Sequence, residues 1–263
     1  MNQSDDQNPL RNLLLRVAYD GTDFYGWQIQ PLRPTIQGTL TSAIKKVCGE
    51  QVQVHGAGRT DAGVHACGQA ANVKLASRIP CSNLMKAVND HLPESIRILS
   101  VQEVPLHFHA RHDVHSKIYC YRMFREKICL PRLSRFVFPF PYPLDEAAMQ
   151  EGARDYAGTW DFRSFASADR SQDSEEKSYV RTIFSSLLER RGDELVYTVE
   201  GNGFLHHMVR NLMGTLILVG RKQISSDAIR KILAVRQRSA AGPTVPARGL
   251  HLLSVNYPSA ALI

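Results

Sequence analysis

The pattern of apolar and polar positions in the first part of the chain predicts six elements in the order β-α-β-β-α-β. Strands are predicted at 13–19, 52–55, 68–75 and 96–104, and helices are predicted after Thr35 and Ser82. Both of these residue types cap helices, and apolar residues recur at helical spacing behind each of them. A glycine-rich loop at 56–63 separates the second strand from the third.

The second half of the chain repeats this order of elements without repeating its residues. Strands are predicted at 118–125, 180–188, 195–200 and 250–255, and helices at 145–157, at 204–219 and from Ser226. The order β-α-β-β-α-β is that of the split-βαβ, or ferredoxin-like, unit. The sequence therefore predicts an α+β fold of two ferredoxin-like domains. Residues 1–10 would be a flexible tail, 11–108 the N-terminal domain and 109–263 the C-terminal domain.

Composition narrows the class of protein. The chain has 263 residues, of which 43% are hydrophobic, enough for a sizeable core and too many for a disordered or fibrous chain. No apolar run approaches the ~20 residues of a membrane span. The N-terminus lacks the pattern of a signal peptide. The five cysteines contain no CxxC pair, which indicates free thiols. We expect a cytoplasmic protein without a membrane partner.

Charge points toward a polyanion. The formal net charge is +7, and residues 105–140 carry seven basic and two acidic residues around Tyr119 and Tyr121. Cations neutralise phosphates and aromatic rings stack on bases, a combination that suits flipped or single-stranded nucleotides. The alternative is that both tyrosines pack into the core, since residues two apart on a strand share a face. The candidate RNA-binding cations are Lys117, Arg111 and Arg122.

The segment GAGRTDAGVHACGQ, residues 56–69, is the first candidate for chemistry. Its glycines let the backbone turn tightly around Arg59 and Asp61. In a loop between strands, Asp61 could serve as a nucleophile; the alternative is a plain turn with a solvated Arg–Asp pair. Asp20, in the sequence DGT, would shape a turn. A haloacid-dehalogenase-type phosphatase needs a second Asp two residues earlier, where this chain has Ala18.

The segment GNGFLHHMVRNLMGTLILVG, residues 201–220, is the second candidate. On a helix, His206 and Arg210 would share a face. An arginine among so many apolar residues needs a partner if it is buried, so Arg210 could pair with a catalytic carboxylate. The alternative is a partly exposed arginine whose stem lies along the apolar surface.

A cluster of histidines raises the question of a metal. Their spacing matches no structural zinc signature, and no cysteine completes one, so we expect no metal. The cluster consists of His107, His109, His112 and His115.

Six sequence blocks together resemble the tRNA pseudouridine synthase A family. They are YDGTDFYGWQIQ at 19–30, GRTDAGVHACGQ at 58–69, KIYCY at 117–121, DFRSF at 161–165, NGFLHHMVRN at 202–211 and PARGL at 246–250. The resemblance runs from about residue 12 to 256, nearly the whole chain. The GRTDAGVHA block is highly specific, and coincidence of six blocks in the right order is very improbable. The acidic loop Asp173 to Glu176 belongs to none of these blocks.

The resemblance implies an isomerase that needs neither a cofactor nor a metal. It breaks the glycosidic bond of uridine, turns the uracil and rejoins it through carbon 5, at positions 38–40 in the anticodon stem-loop of tRNA. It also implies two α+β domains whose antiparallel sheets meet over a basic central cleft. The expected assembly is a homodimer in which one tRNA contacts both subunits.

The motif match implies a role for each of four residues. Asp61 aligns with the catalytic aspartate, which attacks or otherwise assists at the ribose. Arg59 aligns with the arginine that helps to extrude the base, and Arg210 with the one that pairs with the catalytic carboxylate. Tyr119 aligns with the tyrosine that stacks on the target uracil and acts as a base late in the reaction. Two other functions fit the residues: an RNA-binding module without chemistry, and a metal-dependent hydrolase built on the histidine cluster.

Overall fold

The computed structural model describes residues 9–167 and 178–263, and the chain divides into two compact units of mixed α and β structure. Unit 1 comprises Met1–His115 with Ser254–Ile263, and unit 2 comprises Ser116–Leu253. Most of the expected tail at 1–10 and the whole acidic loop Asp173 to Glu176 lie outside the described residues.

Unit 1 has the six elements predicted for it, in the predicted order. They are β1 (Arg11–Tyr19), α1 (Ile36–Cys48), β2 (Val54–Gly56), β3 (His65–Leu75), α2 (Cys81–Asp90) and β4 (Ile96–Val104). The strands lie in the order β4-β1-β3-β2 and pair antiparallel. Strand β1 is central, and its alternate residues Leu13, Leu15, Val17 and Tyr19 are buried in the core.

The two predicted helix caps have different outcomes. Thr35 is confirmed, because its side chain accepts a hydrogen bond from the N–H of Gly38 at the start of α1. The prediction for Ser82 is wrong. Helix α2 begins at Cys81, two residues earlier than a Ser82 cap requires, and the carbonyl of Pro80 accepts from the N–H groups of Asn83 and Leu84. Ser82 therefore lies inside the first turn.

Unit 2 has more elements than its sequence pattern predicts. They are β5 (Ser116–Phe124), α3 (Pro131–Ser134), β6 (Phe138–Pro139), α4 (Glu146–Arg154), β7 (Gly158–Asp161), β8 (Val180–Arg191), β9 (Glu194–Gly201), α5 (Met208–Gly220), α6 (Ala228–Val235) and β10 (Leu250–Asn256), whose last three residues belong to unit 1. Strands run in the order β10-β5-β9-β8-β7, and the short β6 pairs parallel with β5. The ferredoxin-like assignment of both halves stays a prediction.

Helix α5 begins later than predicted. His207 precedes it with a φ of +60°, a left-handed backbone that cannot continue a right-handed helix. The helix therefore starts at Met208, and residues 204–207 lie outside it, with a turn at 206–207. The prediction that His206 and Arg210 share a helix face is wrong for this reason.

Helix α5 is the central packing element of unit 2. Eleven of its thirteen residues are buried. A Cβ added to Gly214 would lie 1.8 Å from the carbonyl oxygen of Pro243, so the helix backbone touches the segment that follows α6. Within the described ranges, no helix combines the length and apolarity needed to cross a membrane.

Two helical glycines give a test of this packing. Helix propensity alone predicts that either glycine, changed to alanine, stabilises the fold by up to about 1 kcal/mol. Gly152→Ala in α4 should do so, because its new Cβ would have only ordinary contacts at 3.5 Å and beyond. Gly214→Ala should lower the free energy of unfolding by about 1–3 kcal/mol, because its methyl group overlaps a backbone carbonyl. Urea unfolding of both variants measures the difference, and the same sign for both would contradict the close contact.

Candidate active site

The loop that carries Arg59 and Asp61 joins β2 to β3 in unit 1. Its turn closes through a hydrogen bond of 3.1 Å from the N–H of Val64 to the carbonyl of Asp61. Gly63 has a φ of +75°, which favours glycine. Arg59 is exposed and Asp61 is half-buried. The tight turn predicted from the glycines is present, with both charged side chains on the same short loop.

A second segment of unit 1, residues 19–30, holds this loop by direct backbone contact. The N–H of Trp27 donates to the carbonyl of Thr60 at 3.0 Å, and the N–H of Gly63 donates to Phe24 at 3.3 Å. Gly26 has a φ of +82°, and a Cβ there would lie 2.5 Å from the Thr60 carbonyl oxygen. The two main chains therefore touch at a position that only glycine fits.

Buried polar side chains also hold the loop that carries Arg59 and Asp61. The hydroxyl groups of Tyr19 and Thr60 are 2.8 Å apart, and Gln69 Nε2 donates to the carbonyl of Gly58 at 3.0 Å. Burial raises the pKa of the Tyr19 phenol, so this group stays neutral and keeps its proton for hydrogen bonding. Sequence analysis gave no role to Tyr19 or Gln69, although both lie within the family blocks.

Asp20 has the turn-shaping role expected of it. Its Oδ1 accepts hydrogen bonds from the N–H of Thr22 at 3.0 Å and from the Thr22 hydroxyl at 2.6 Å. Next to it, Nδ1 of His65 accepts from the N–H of Gly21 at 3.1 Å. These bonds lock the start of the segment that holds the Arg59–Asp61 loop.

In unit 2, the two tyrosines of β5 point to the same side of the strand, as strand alternation requires. Both side chains are buried. The Tyr121 hydroxyl donates to the carbonyl of Pro246 at 2.8 Å. The ring of Tyr119 packs edge-on against Phe204, with 5.0 Å between the ring centroids. Tyr121 is thus tied into the core, whereas Tyr119 keeps 7% of its surface exposed.

Arg210 lies in the first turn of α5 and is half-buried. Its Nε donates to the carbonyl of Val245 at 2.7 Å. The guanidinium is close enough to Tyr121 for its charge to oppose the rise that burial causes in the pKa of that tyrosine. Arg210 is thus partly exposed and anchored by a backbone carbonyl, and its pairing with a catalytic carboxylate stays a prediction.

The residue after Arg210 is a buried polar residue to which the sequence assigned no role. Asn211 is fully buried, and its Nδ2 donates to the carbonyl of Phe165 at 2.7 Å. Its Oδ1 accepts from the Thr244 hydroxyl at 2.6 Å and from Arg238 Nη2 at 3.0 Å. The available signal was the asparagine that ends the block NGFLHHMVRN.

The three candidate RNA-binding cations have different surroundings. Arg122 forms a two-point pair with Glu194, in which Nε lies 2.7 Å from Oε2, and strand alternation directs it to the face opposite Tyr119. Lys117 shares the face of Tyr119 and is half-buried. Arg111 lies on unit 1 and is exposed. A role for these residues in RNA binding stays a prediction, and Glu194 neutralises the charge of Arg122.

The histidine segment forms a stack of rings in unit 1. The ring centroid of His109 lies 4.3 Å from that of His112 and 5.1 Å from that of His55. Nδ1 of His109 accepts from the N–H of Arg111 at 3.1 Å. Partial burial lowers the pKa of His109, and its two ring neighbours lower it further. The stack thus includes two of the four histidines singled out in the sequence.

The buried contact beneath the loop can be tested by removing one oxygen atom. Tyr19→Phe leaves the Thr60 hydroxyl buried without this partner, so the free energy of unfolding should fall by about 1–2 kcal/mol. Tyr25→Phe, at an exposed tyrosine of the same segment, should leave it unchanged. Equal urea midpoints for the two variants would contradict a stabilising role for the Tyr19–Thr60 contact.

The comparisons with known proteins agree on one family. A family model described as tRNA pseudouridine synthase matches residues 16–113 and 153–258. The tRNA pseudouridine synthase A of Solibacter usitatus is 48% identical over 248 residues, which cover 94% of this chain and 100% of the relative. That of Brevibacillus brevis is 42% identical over 252 residues, with the same coverage of 94% and 100%.

A solved structure, that of the archaeal box H/ACA Nop10–Cbf5 complex, is a distant match. It is 12% identical with a TM-score of 0.35, and the match covers 91% of this chain but only 46% of the solved chain. This likeness is too weak to carry an argument. The assignment to a family rests on the relatives that match over their whole length. These relatives favour the synthase over an RNA-binding module without chemistry and over a metal-dependent hydrolase. The chain belongs to the tRNA pseudouridine synthase A family, and is an isomerase that converts uridine to pseudouridine in tRNA.

Proposed function

We propose that this enzyme acts on uridines at positions 38–40 in the anticodon stem-loop of tRNA, with Asp61 as its catalytic residue. The observation that carries the proposal is the loop at 56–63. Its backbone is fixed by hydrogen bonds with Trp27 and Phe24, while Asp61 is half-buried and Arg59 exposed. Catalysis requires that a reactive side chain be held accurately in place, and a loop with a fixed backbone supports that positioning.

The reaction rearranges bonds within one nucleotide. The bond from ribose C1′ to uracil N1 breaks, and a bond from C1′ to C5 forms. The proton on C5 leaves to solvent and N1 gains one, so atoms and electrons balance without a redox partner. Asp61 assists at the ribose while the uracil is detached, by direct attack or in another way. The isomerisation needs neither metal nor cofactor.

The target base is stacked in an RNA stem and must first be flipped out, at a cost of a few kcal/mol. Arg59 is suited to help extrude the base, because its side chain is exposed on the same loop as Asp61. Tyr119 stacks on the flipped uracil, which returns about 1–3 kcal/mol. Its ring is held edge-on by Phe204, which supports this orienting role.

The resemblance to the family implies positive charge at the catalytic carboxylate. Arg59 and Arg210 supply this charge in the proposed mechanism. The anchoring of Arg210 by the Val245 carbonyl supports a fixed position for its guanidinium.

The remaining features of the proposal concern architecture. Both units are variants of the ferredoxin-like unit. The strand order β4-β1-β3-β2 and the element order of unit 1 support this assignment for the first half. The active form is a cytoplasmic homodimer in which one tRNA contacts both subunits, with Lys117, Arg111 and Arg122 among the residues that bind RNA.

Tritium release from tRNA labelled at carbon 5 of uridine tests the catalytic assignment, because the new carbon–carbon bond must expel that hydrogen. Asp61→Asn preserves shape and removes the charge, so release should fall by ~10³-fold or more. Asp90→Asn, at an exposed aspartate of unit 1, should retain wild-type release. Wild-type rates for Asp61→Asn would overturn the assignment, and release from uridines outside 38–40 would overturn the proposed positions.

Two substitutions separate the proposed roles of Tyr119. Tyr119→Phe keeps the ring and removes the hydroxyl, so tRNA affinity should persist while kcat falls. Tyr119→Ala also removes the stacking surface, so binding should weaken by about 1–3 kcal/mol as well. Tyr142→Phe, at an exposed position, is the control. Full kcat in Tyr119→Phe would rule out the hydroxyl as a base.

A further inference from the structure

An open basic groove lies on unit 1 beside α1, and the Arg59–Asp61 loop is not part of its lining. Its volume is about 370 Å³, and its cationic or ionisable side chains are Arg33, Lys46 and His91. Ser42 adds a hydroxyl group, whereas the Thr39 hydroxyl already donates to the carbonyl of Thr35 at 2.9 Å. Among the described lining residues, none carries a carboxylate. Cations and hydroxyl donors without a competing acid suit a phosphate group.

One wall of the groove is a tight hairpin at 25–34. The N–H of Tyr25 donates to the carbonyl of Pro34 at 2.9 Å, and Gln30 Nε2 donates to the carbonyl of Tyr25 at 2.8 Å. The Arg33 guanidinium lies over the Tyr25 ring, 4.3 Å from its centroid. An aromatic ring orients this arginine without neutralising its charge, so the charge can act on a ligand.

The other wall is one face of α1. Thr39, Ser42 and Lys46 recur at helical spacing along it, whereas Lys45 lies outside the groove. The first amide groups of the helix are already used, since those of Ile36 and Gln37 donate to the carbonyls of Gly26 and Trp27. Side-chain cations, and not the helix N-terminus, therefore give the groove its positive character.

The tip of the hairpin carries a strained apolar residue in full contact with water. Leu32 has a φ of +59° and is fully exposed. A branched aliphatic residue rarely adopts this backbone, and such an outlier points to a functional surface. Ile29, which lines the groove, is also exposed. Apolar side chains beside cations match the alternation of sugar and phosphate along an RNA strand.

We propose that this groove binds a phosphate of the tRNA backbone away from the catalytic loop, with Leu32 packed on the adjoining nucleotide. The proposal rests on tRNA being the substrate, as in the proposed function. The hairpin also reaches the catalytic loop, through the hydrogen bond from Trp27 to Thr60. RNA held at the groove is thereby placed at a fixed offset from Asp61.

Adjacent lysines on one helix provide a matched test. Lys46→Glu should raise the Kd for tRNA about tenfold and reduce the slope of log Kd against log salt by about one unit. Lys45→Glu changes the charge of the protein and of the last turn of α1 by the same amount as Lys46→Glu does. Because Lys45 lies outside the groove, this variant should alter Kd less than twofold. Filter binding at several salt concentrations measures both. Equal effects of the two variants would overturn the proposal.

Leu32→Gly separates the apolar contact from folding. Glycine relieves the positive φ, so urea unfolding should show no loss of stability, while Kd should rise several-fold. An unchanged Kd would reject the Leu32 contact. A change in sedimentation on Lys46→Glu, with unchanged tRNA affinity, would make the groove an interface between copies of the chain and overturn the RNA assignment. Because these measurements report binding, they decide the groove independently of tritium release, which decides the chemistry.

Discussion

The backbone contact between the segment at 19–27 and the loop at 58–64 determines much of unit 1. A Cβ on Gly21 would lie 2.0 Å from the carbonyl oxygen of Val64, and one on Gly26 would lie 2.5 Å from that of Thr60. These two glycines let the main chains meet without intervening side chains. The same segment accepts the first amide groups of α1 at Gly26 and Trp27. One contact thus fixes the Arg59–Asp61 loop, the hairpin at 25–34 and the start of a helix.

Charge is distributed more selectively than the sequence count suggests. The segment 105–140 has a surplus of five positive charges. The structure shows that two of its arginines are paired: Arg122 with Glu194, and Arg125 with Glu146. Their acidic partners lie outside that segment and close onto it only in the folded chain. Counting charge along a segment therefore overestimates the positive potential that the segment offers to a ligand.

The sequence was sufficient for features set by local periodicity. The strand at 13–19 and the helix after Thr35 depend on neighbours within a few residues, and both predictions are confirmed. The start of α5 was predicted too early because His207 has a left-handed backbone conformation, which its residue type does not predict. The bonds of Asn211 were missed because its partners lie at 165, 238 and 244, far away in the sequence.

The two candidate catalytic elements share one arrangement, although each belongs to a different unit. Asp61 follows Thr60, whose side chain is almost fully buried and bonded to Tyr19. Arg210 precedes Asn211, which is fully buried and bonded on both its amide nitrogen and its oxygen. A buried polar group is costly when it lacks partners and strongly orienting when it has them. In each case the buried neighbour fixes the backbone, so the adjacent charged side chain can be positioned for chemistry without being buried itself.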